Sequence, residues 1–412
     1  MDKSCDMGKP APIPEEEALR LLRAAARPIE AMERLPLAQS YGRILAETLM
    51  APVDVPPADN SAMDGYAVHA SDCTEANTRL WVAQRIPAGK TGAKLGPRTA
   101  ARIFTGAPIP EGADAVVMQE YCRREGDDVI ISTPVPPGSN VRRRGEDIAH
   151  GGKLLDQGTR LQPQHVGLAA SVGFNNIPVY RRLRVAVFFS GDELTPPGQP
   201  LAPGKIYNSN RYALTGLLQR LGCEIIDLGD APDTIFATRE ILAYAKTVAD
   251  VIISSGGVSV GEEDHVPAAV KALGHLELWN IAIKPGKPLA FGHIGEIPFI
   301  GLPGNPVSLF ITFCLYARPF LLMSQGLPYQ TPRFMWAQAD FERPRAHKRR
   351  EYLRARLVSA DEQRDTVQLY PHQGSGILSS LAWAEGLACI PEDSCIARGD
   401  MVRYLPLETL LD

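Results

Sequence analysis

Residues 248–264 read VADVIISSGGVSVGEED, and the rest of the chain is organised around them. Val251, Ile252 and Ile253 form an apolar run too short for a helix and rich in β-branched residues. That is the pattern of a strand buried on both faces, as in a parallel sheet. Ser254, Ser255, Gly256 and Gly257 end the run, and Ser259, Gly261, Glu262, Glu263 and Asp264 follow. Val266, Ala269, Val270 and Leu273 then recur at helical spacing. A glycine-rich turn between strand and helix presents backbone N–H groups at the positive end of the helix dipole, which suits a phosphate. Acids beside an anion site call for a hard divalent cation such as Mg²⁺ between them and the phosphate. The same residues also make an ordinary turn, with glycines for geometry and acids capping the helix.

The surrounding period is strand, helix, strand. Strands are expected over 183–189, 224–228, 276–283, 289–293 and 299–301, with helices over 210–221, 234–246 and 306–322. This describes a doubly wound α/β domain over 183–326, whose ligands bind beyond the carboxyl ends of the strands. Upstream, 14–26 reads as a helix with acids in its first turn, and 42–48 as a second short helix. Together 1–50 and 151–182 flank a mainly β module over 51–150, in which short strands (81–85, 101–104, 115–119, 129–132) alternate with Pro/Gly turns. Past residue 326 short strands return, and 327–412 is expected to be a small β-barrel. The fold class is thus α/β plus β, in several domains.

Bulk properties exclude several functions. The 412 residues are too many for one core. A net charge of −4 gives no electrostatic case for nucleic acid. Arg343 to Arg356 is the most basic run, but Glu351 interrupts it. The seven cysteines include no C-x-x-C pair, and no secretory leader precedes them. A cytoplasmic protein with reduced thiols is expected, and no apolar run reads as a membrane span. Gly89-Lys90-Thr91 is no P-loop, because position 84 is Gln.

Four polar clusters fall just beyond expected strand ends: Ser190-Gly191-Asp192-Glu193, the 256–264 turn, Lys284-Pro285-Gly286-Lys287-Pro288, and Pro303-Gly304-Asn305-Pro306. Prolines restrain both lysines, which suits an oxyanion or phosphate. Asn305 and Pro306 read as helix cap and first helical residue, leaving N–H groups of the next turn open to an anion.

Taken together, the motifs resemble the molybdopterin molybdotransferase family (MoeA and gephyrin E domains). They are DNSAMDGYAV (59–68), IFTGAPIPEGADAVVMQE (103–120), RRRGEDI (142–148), SGDEL (190–194), SSGGVSVGEED (254–264), IKPGKPLAFG (283–292), GLPGNPVS (301–308) and QGSGILSS (373–380). The resemblance implies a central molybdopterin-binding-like domain and an enzyme that inserts molybdate into adenylylated molybdopterin, releasing AMP with Mg²⁺. It implies a homodimer with shared clefts, and a molybdopterin adenylyltransferase as partner. By matched position, Glu193 and Asp264 would hold Mg²⁺, and Lys284, Lys287, Arg354 and Ser375 would bind oxyanion, the last two reaching in from the partner's tail domain. Asp59 and Thr105, from the partner's β module, would position substrate, and Asp147 would orient the arginines before it. Ser190, Gly256, Gly257, Ser259, Pro303, Asn305 and Pro306 would line the substrate site. Two positions depart from the family pattern. Asn208 stands where an acid is often found, and the loop holding Asp233 aligns loosely.

Overall fold

The computed structural model describes residues 12–258, 265–361 and 364–411, and by internal contacts the chain forms two compact units. One comprises the chain up to Glu33 and from Tyr180 onward; the other is Arg34–Val179.

In the first unit a six-stranded sheet runs in the order Glu224–Ala231, Arg184–Ser190, Val251–Ser255, Ile297–Leu302, Ala290–Ile294, Gly274–Trp279. The first four strands are mutually parallel, Ala290–Ile294 runs antiparallel to them and Gly274–Trp279 antiparallel to it, so the expected doubly wound domain carries an edge of antiparallel pairings. Strand alternation sorts the core. Val185, Val187 and Phe189 face one cluster, with helix Ser209–Arg220 and the long helix 306–324. Ala186 and Phe188 face the other, with helices Ile235–Val248 and Val266–Leu273. The 306–324 helix takes a π turn over Phe313–Ala317. Contrary to the sequence reading, this helix is long and apolar enough to cross a membrane, with 72% of its window buried inside the protein. Its apolarity is that of a core helix packed against the sheet.

The tail forms the expected barrel. Arg350–Asp361 pairs with Arg364–Leu369, that strand with Met335–Ala339, that with Met401–Pro406 and that with Gly386–Ile390, which closes back on Arg350–Asp361. Short strand Ile283–Lys284 lies parallel to the start of Arg350–Asp361, with Lys284 opposite Glu351. The barrel is thereby joined to the lysine-bearing loop.

The second unit holds another six-stranded sheet, ordered Ala115–Met118, Gly65–Val68, Thr99–Ile103, Thr78–Ile86, Asp128–Ile131, Cys122–Glu125. The expected helix over 42–48 does not form. Gly42 turns at φ +73°, and the N–H groups of Leu45 and Ala46 donate to Thr159 and Pro178. Extended pairing with distant segments outcompetes a short helix.

Glu351 is the electrostatic knot between barrel and α/β domain. It is 2% exposed, and its carboxylate takes Arg343 Nη2 at 2.6 Å and Lys284 Nζ at 3.1 Å. Burial pushes its carboxyl up, but Arg343 and Lys284 outweigh burial and hold it below its usual value. A depressed folded value means stabilisation that is full above the unfolded value of 4.5 and lost as pH falls through the folded one. Glu351→Ala should lower unfolding stability by about 3 kcal/mol at neutral pH, the low end for a broken buried pair because both cations are partly solvated. In urea melts the deficit against wild type should shrink below pH 4.5.

Candidate active site

From strand Arg184–Ser190 the chain passes to Glu224–Ala231 on one side and then crosses to Val251–Ser255 on the other, so the direction of winding reverses at this strand. At such a switch point a parallel sheet opens a crevice beyond its carboxyl ends. Ser190 and Gly256 stand there. Gly256 has φ +88° and Gly257 φ +66°, and a β-carbon on Gly256 would lie 2.2 Å from the Ser190 carbonyl oxygen. Only glycine lets the two strand ends meet so closely.

Asp233 braces the loop that follows. It accepts from Ser190 Oγ at 2.6 Å and from the Asp192 N–H at 3.0 Å, while its own N–H donates to Asp192 Oδ1 at 3.1 Å. This loosely matched residue is therefore tied directly to the motif. The exposed Glu193 carboxylate folds back over Gly191, where a β-carbon would lie 2.7 Å from Glu193 Oε2. Asn208 is buried and caps helix Ser209–Arg220 through Oδ1, and its amide donates to Asp230 Oδ1 at 2.7 Å. A carboxylate at 208 would instead face Asp230 with like charge, which accounts locally for the asparagine.

A cleft of about 310 Å³ opens between these loops, lined by Ser190, Glu193, Asn210 and Asn305, with Gly376 and Leu378 from the tail. Asn210 was not singled out in the sequence, although an asparagine on the first turn of a helix leaving the strand ends was the available signal. Its amide nitrogen donates to Ser255 Oγ (3.0 Å) and Gly304 O (2.7 Å), whereas its Oδ1 is buried without a partner.

Pro306 begins the long helix after Asn305, whose side chain makes no cap bond. The Val307 N–H, one of those expected to face an anion, donates to the Ser375 carbonyl at 3.1 Å. Ser375 thus lies beside the 303–306 loop within one chain. Arg354 is fully buried, so it does not present its charge to the cleft surface. Its Nε donates to Ser380 Oγ and its Nη2 to Gly374 O, so it holds the 374–380 loop from beneath. Burial pulls its guanidinium down to about 10, still protonated at neutral pH. Lys284 is half-exposed beside Glu351, and Lys287 is exposed on the same loop. Ser259 and Asp264 lie outside the described residues.

Asp59, Thr105 and Asp147 belong to the other unit, where three motif loops converge. The Ile109 N–H donates to Asp59 O, the Gly106 N–H to Ser61 O, and Arg142 pairs with Asn60. Asp59 accepts from the Arg144 N–H at 2.8 Å and Arg143 Nη1 at 2.6 Å, and these contacts hold its carboxyl below the usual range. Arg144 Nε also reaches Asp54. Asp59 and Asp54, rather than Asp147, orient the arginines; the Asp147 N–H donates to Val55 O. Thr105 gives both its N–H (2.8 Å) and its hydroxyl (2.7 Å) to Asp64, a residue inside the DNSAMDGY motif whose part the sequence did not disclose.

Family models match almost end to end: the MoeA N-terminal region (domain I and II) over 13–173, a probable molybdopterin binding domain over 186–323, and the MoeA C-terminal region (domain IV) over 337–407. The molybdopterin molybdenumtransferase of Haemophilus influenzae is 39% identical over 383 residues, 92% of this chain and 95% of that protein. Molybdopterin molybdenumtransferase 2 of Mycobacterium tuberculosis is 40% identical over 90% of this chain and 92% of its own length. The crystal structure of a molybdopterin biosynthesis MoeA protein from Pyrococcus horikoshii superposes with a TM-score of 0.82 at 34% identity, covering 96% of this chain and 99% of that one. The chain belongs to the MoeA family. Membership makes it one of a family of transferases with a role in molybdenum cofactor biosynthesis.

In this MoeA-family chain the Ser190–Gly256 approach is sterically exacting, which separates it from glycines kept only for their dihedral angles. Gly106 shares the positive φ (+81°) but has nothing within 4 Å of its would-be β-carbon. Gly256→Ala should therefore cost more than about 2 kcal/mol, and Gly106→Ala roughly 1 kcal/mol, in paired urea melts.

Proposed function

We propose that this chain is a molybdopterin molybdotransferase, inserting molybdate into adenylylated molybdopterin with Mg²⁺-dependent release of AMP. The observation that supports it best is the cleft at the sheet's switch point, where Ser190, Glu193, Asn210 and the glycine turn stand near a tail loop of the same chain. A substrate carrying a phosphoanhydride needs a site for its counter-cation and a backbone approach free of side chains, and Glu193 and the glycine turn supply them.

The donor set also suits Mg²⁺. Glu193 offers an exposed carboxylate, the buried Asn210 Oδ1 has no partner, and Asp264 follows the same glycine turn in sequence. When bound, the ion would offset charge on the phosphate oxygens. The chain's own groups do the rest. Lys284 and Lys287 attract the oxyanion substrate, and Glu351 and the flanking prolines restrict where Lys284 can point. The Ser190 hydroxyl, donating to Asp233, braces the loop, and the side-chain-free 256–257 turn orients the phosphates. Water attacks the adenylate phosphorus and loses a proton, the anhydride P–O bond breaks to release AMP, and the bridging oxygen stays on the molybdopterin phosphate. The two dithiolene thiols then bond molybdenum as one molybdate oxygen leaves as water with their two protons. Positioning and charge neutralisation suffice, with no covalent enzyme intermediate. Asp59 and Thr105, from the partner's β module, are assigned to substrate positioning, and Asp147 to the loop carrying Arg142, Arg143 and Arg144. Pro303, Asn305, Pro306 and Ser375 shape one cleft wall, and Arg354 supports it from beneath.

The reading extends to a homodimer that receives its substrate from a molybdopterin adenylyltransferase, in the cytoplasm. Six cysteines among the described residues are free, in keeping with a reducing compartment.

The expected result is AMP release from adenylylated molybdopterin that requires both Mg²⁺ and molybdate. Glu193→Ala should cut turnover roughly 100-fold or more while leaving the melting temperature unchanged. Full activity after removal of both Glu193 and Asp264 carboxylates would refute the metal assignment, and molybdate-independent behaviour would refute the transferase reading.

A further inference from the structure

Far from the strand carboxyl ends, the antiparallel edge of the sheet carries a second polar constellation. Strands Gly274–Trp279 and Ala290–Ile294 place His275 directly opposite His293, and the register shifts at Glu277, between Leu276 and Leu278. Such a bulge takes one residue out of the one-to-one pairing and re-aims its side chain. Here Glu277 Oε1 meets both rings, at 3.1 Å from His275 Nε2 and 2.7 Å from His293 Nδ1. The rings stack with centroids 5.3 Å apart and planes 19° from parallel. All three donor atoms lie within 4.8 Å of one another.

We propose that His275, Glu277 and His293 form a binding site for a borderline divalent transition metal of the Zn²⁺ class, separate from the active cleft. Two imidazole nitrogens and one carboxylate oxygen are a ligand set that such ions prefer over Mg²⁺ or Ca²⁺. A tetrahedral ion with bonds of about 2.0–2.1 Å sets its ligand atoms about 3.3 Å apart, so small side-chain rotations bring these donors into place. Access is available. His275 is 62% exposed, and Glu277 and His293 line a cleft of about 570 Å³ at the amino ends of the parallel strands, shared with Arg27, Asp250 and Glu296. Solvent on that side leaves a coordination position for water. Mounting on paired strands fixes the ligands more tightly than a loop would.

The test is titration of the metal-stripped full-length chain with Co²⁺, followed by visible absorption. One equivalent should bind with ligand-field bands of a nitrogen and oxygen site, and Zn²⁺ should bleach them. Altering even an outer-shell partner of a metal ligand costs about 10- to 100-fold in affinity, so His275→Ala and His293→Ala should each weaken binding at least that much. Glu277→Gln, which keeps the side chain's shape, should weaken it as well, with all three melting temperatures near wild type. Spectra no different from the aquo ion, bands that survive in these variants, or sulfur-to-metal charge transfer from a cysteine site would each overturn the proposal.

Discussion

The arrangement of the cleft depends on one steric fact: the Ser190 carbonyl oxygen occupies space that a β-carbon at position 256 would need. Two parallel strands can end side by side only if one of them turns away at once, and Gly256-Gly257 makes that turn with both residues at positive φ. The approach draws the Ser190 loop, the Ser255 hydroxyl and the Gly304 carbonyl to one place, where Asn210 bridges the last two. Groups at the switch point are thus positioned by backbone geometry before any ligand arrives. Such preorganisation is what electrostatic catalysis requires.

Where the barrel meets the rest of its unit, charge is managed by burying the counter-charges. Glu351 lies beneath Lys284 and Arg343, and Glu15 accepts hydrogen bonds from Tyr352 and Arg350. Isolated buried charges are costly, whereas paired and hydrogen-bonded ones fix geometry. The basic run 343–356 is largely consumed in this way. Arg343, Arg350 and Arg354 are engaged within the protein, and Arg356 bonds Gln368 and lies over the Trp383 ring. A stretch that looks like a polyanion-binding patch in the sequence is, in the fold, the barrel's internal wiring.

Local patterns were legible and remote partners were not. The Val251–Ser255 strand, the helices capped by Asn208 and Thr234, and the barrel strands all follow from periodicity and caps, because those signals are local. Helix 42–48 was misread because its competitors, Thr159 and Pro178, lie more than a hundred residues away. The pairing of Lys284 with Glu351, likewise between separate elements, was hidden for the same reason. Arg354 matched a motif by position, but whether an arginine faces a cleft or a barrel interior is set by strand register, which the sequence does not display. Thr105 was picked out while its acceptor Asp64 was not, since a loop residue's partner is a property of folding.

The central proposal, that substrate is held at the switch-point cleft, is tested most directly by hydrogen exchange with and without adenylylated molybdopterin. The account predicts slowed exchange at the amides of 191–194, 255–257 and 374–378 when substrate is bound. Substrate binding at full stoichiometry with no protection at any of these segments would contradict it.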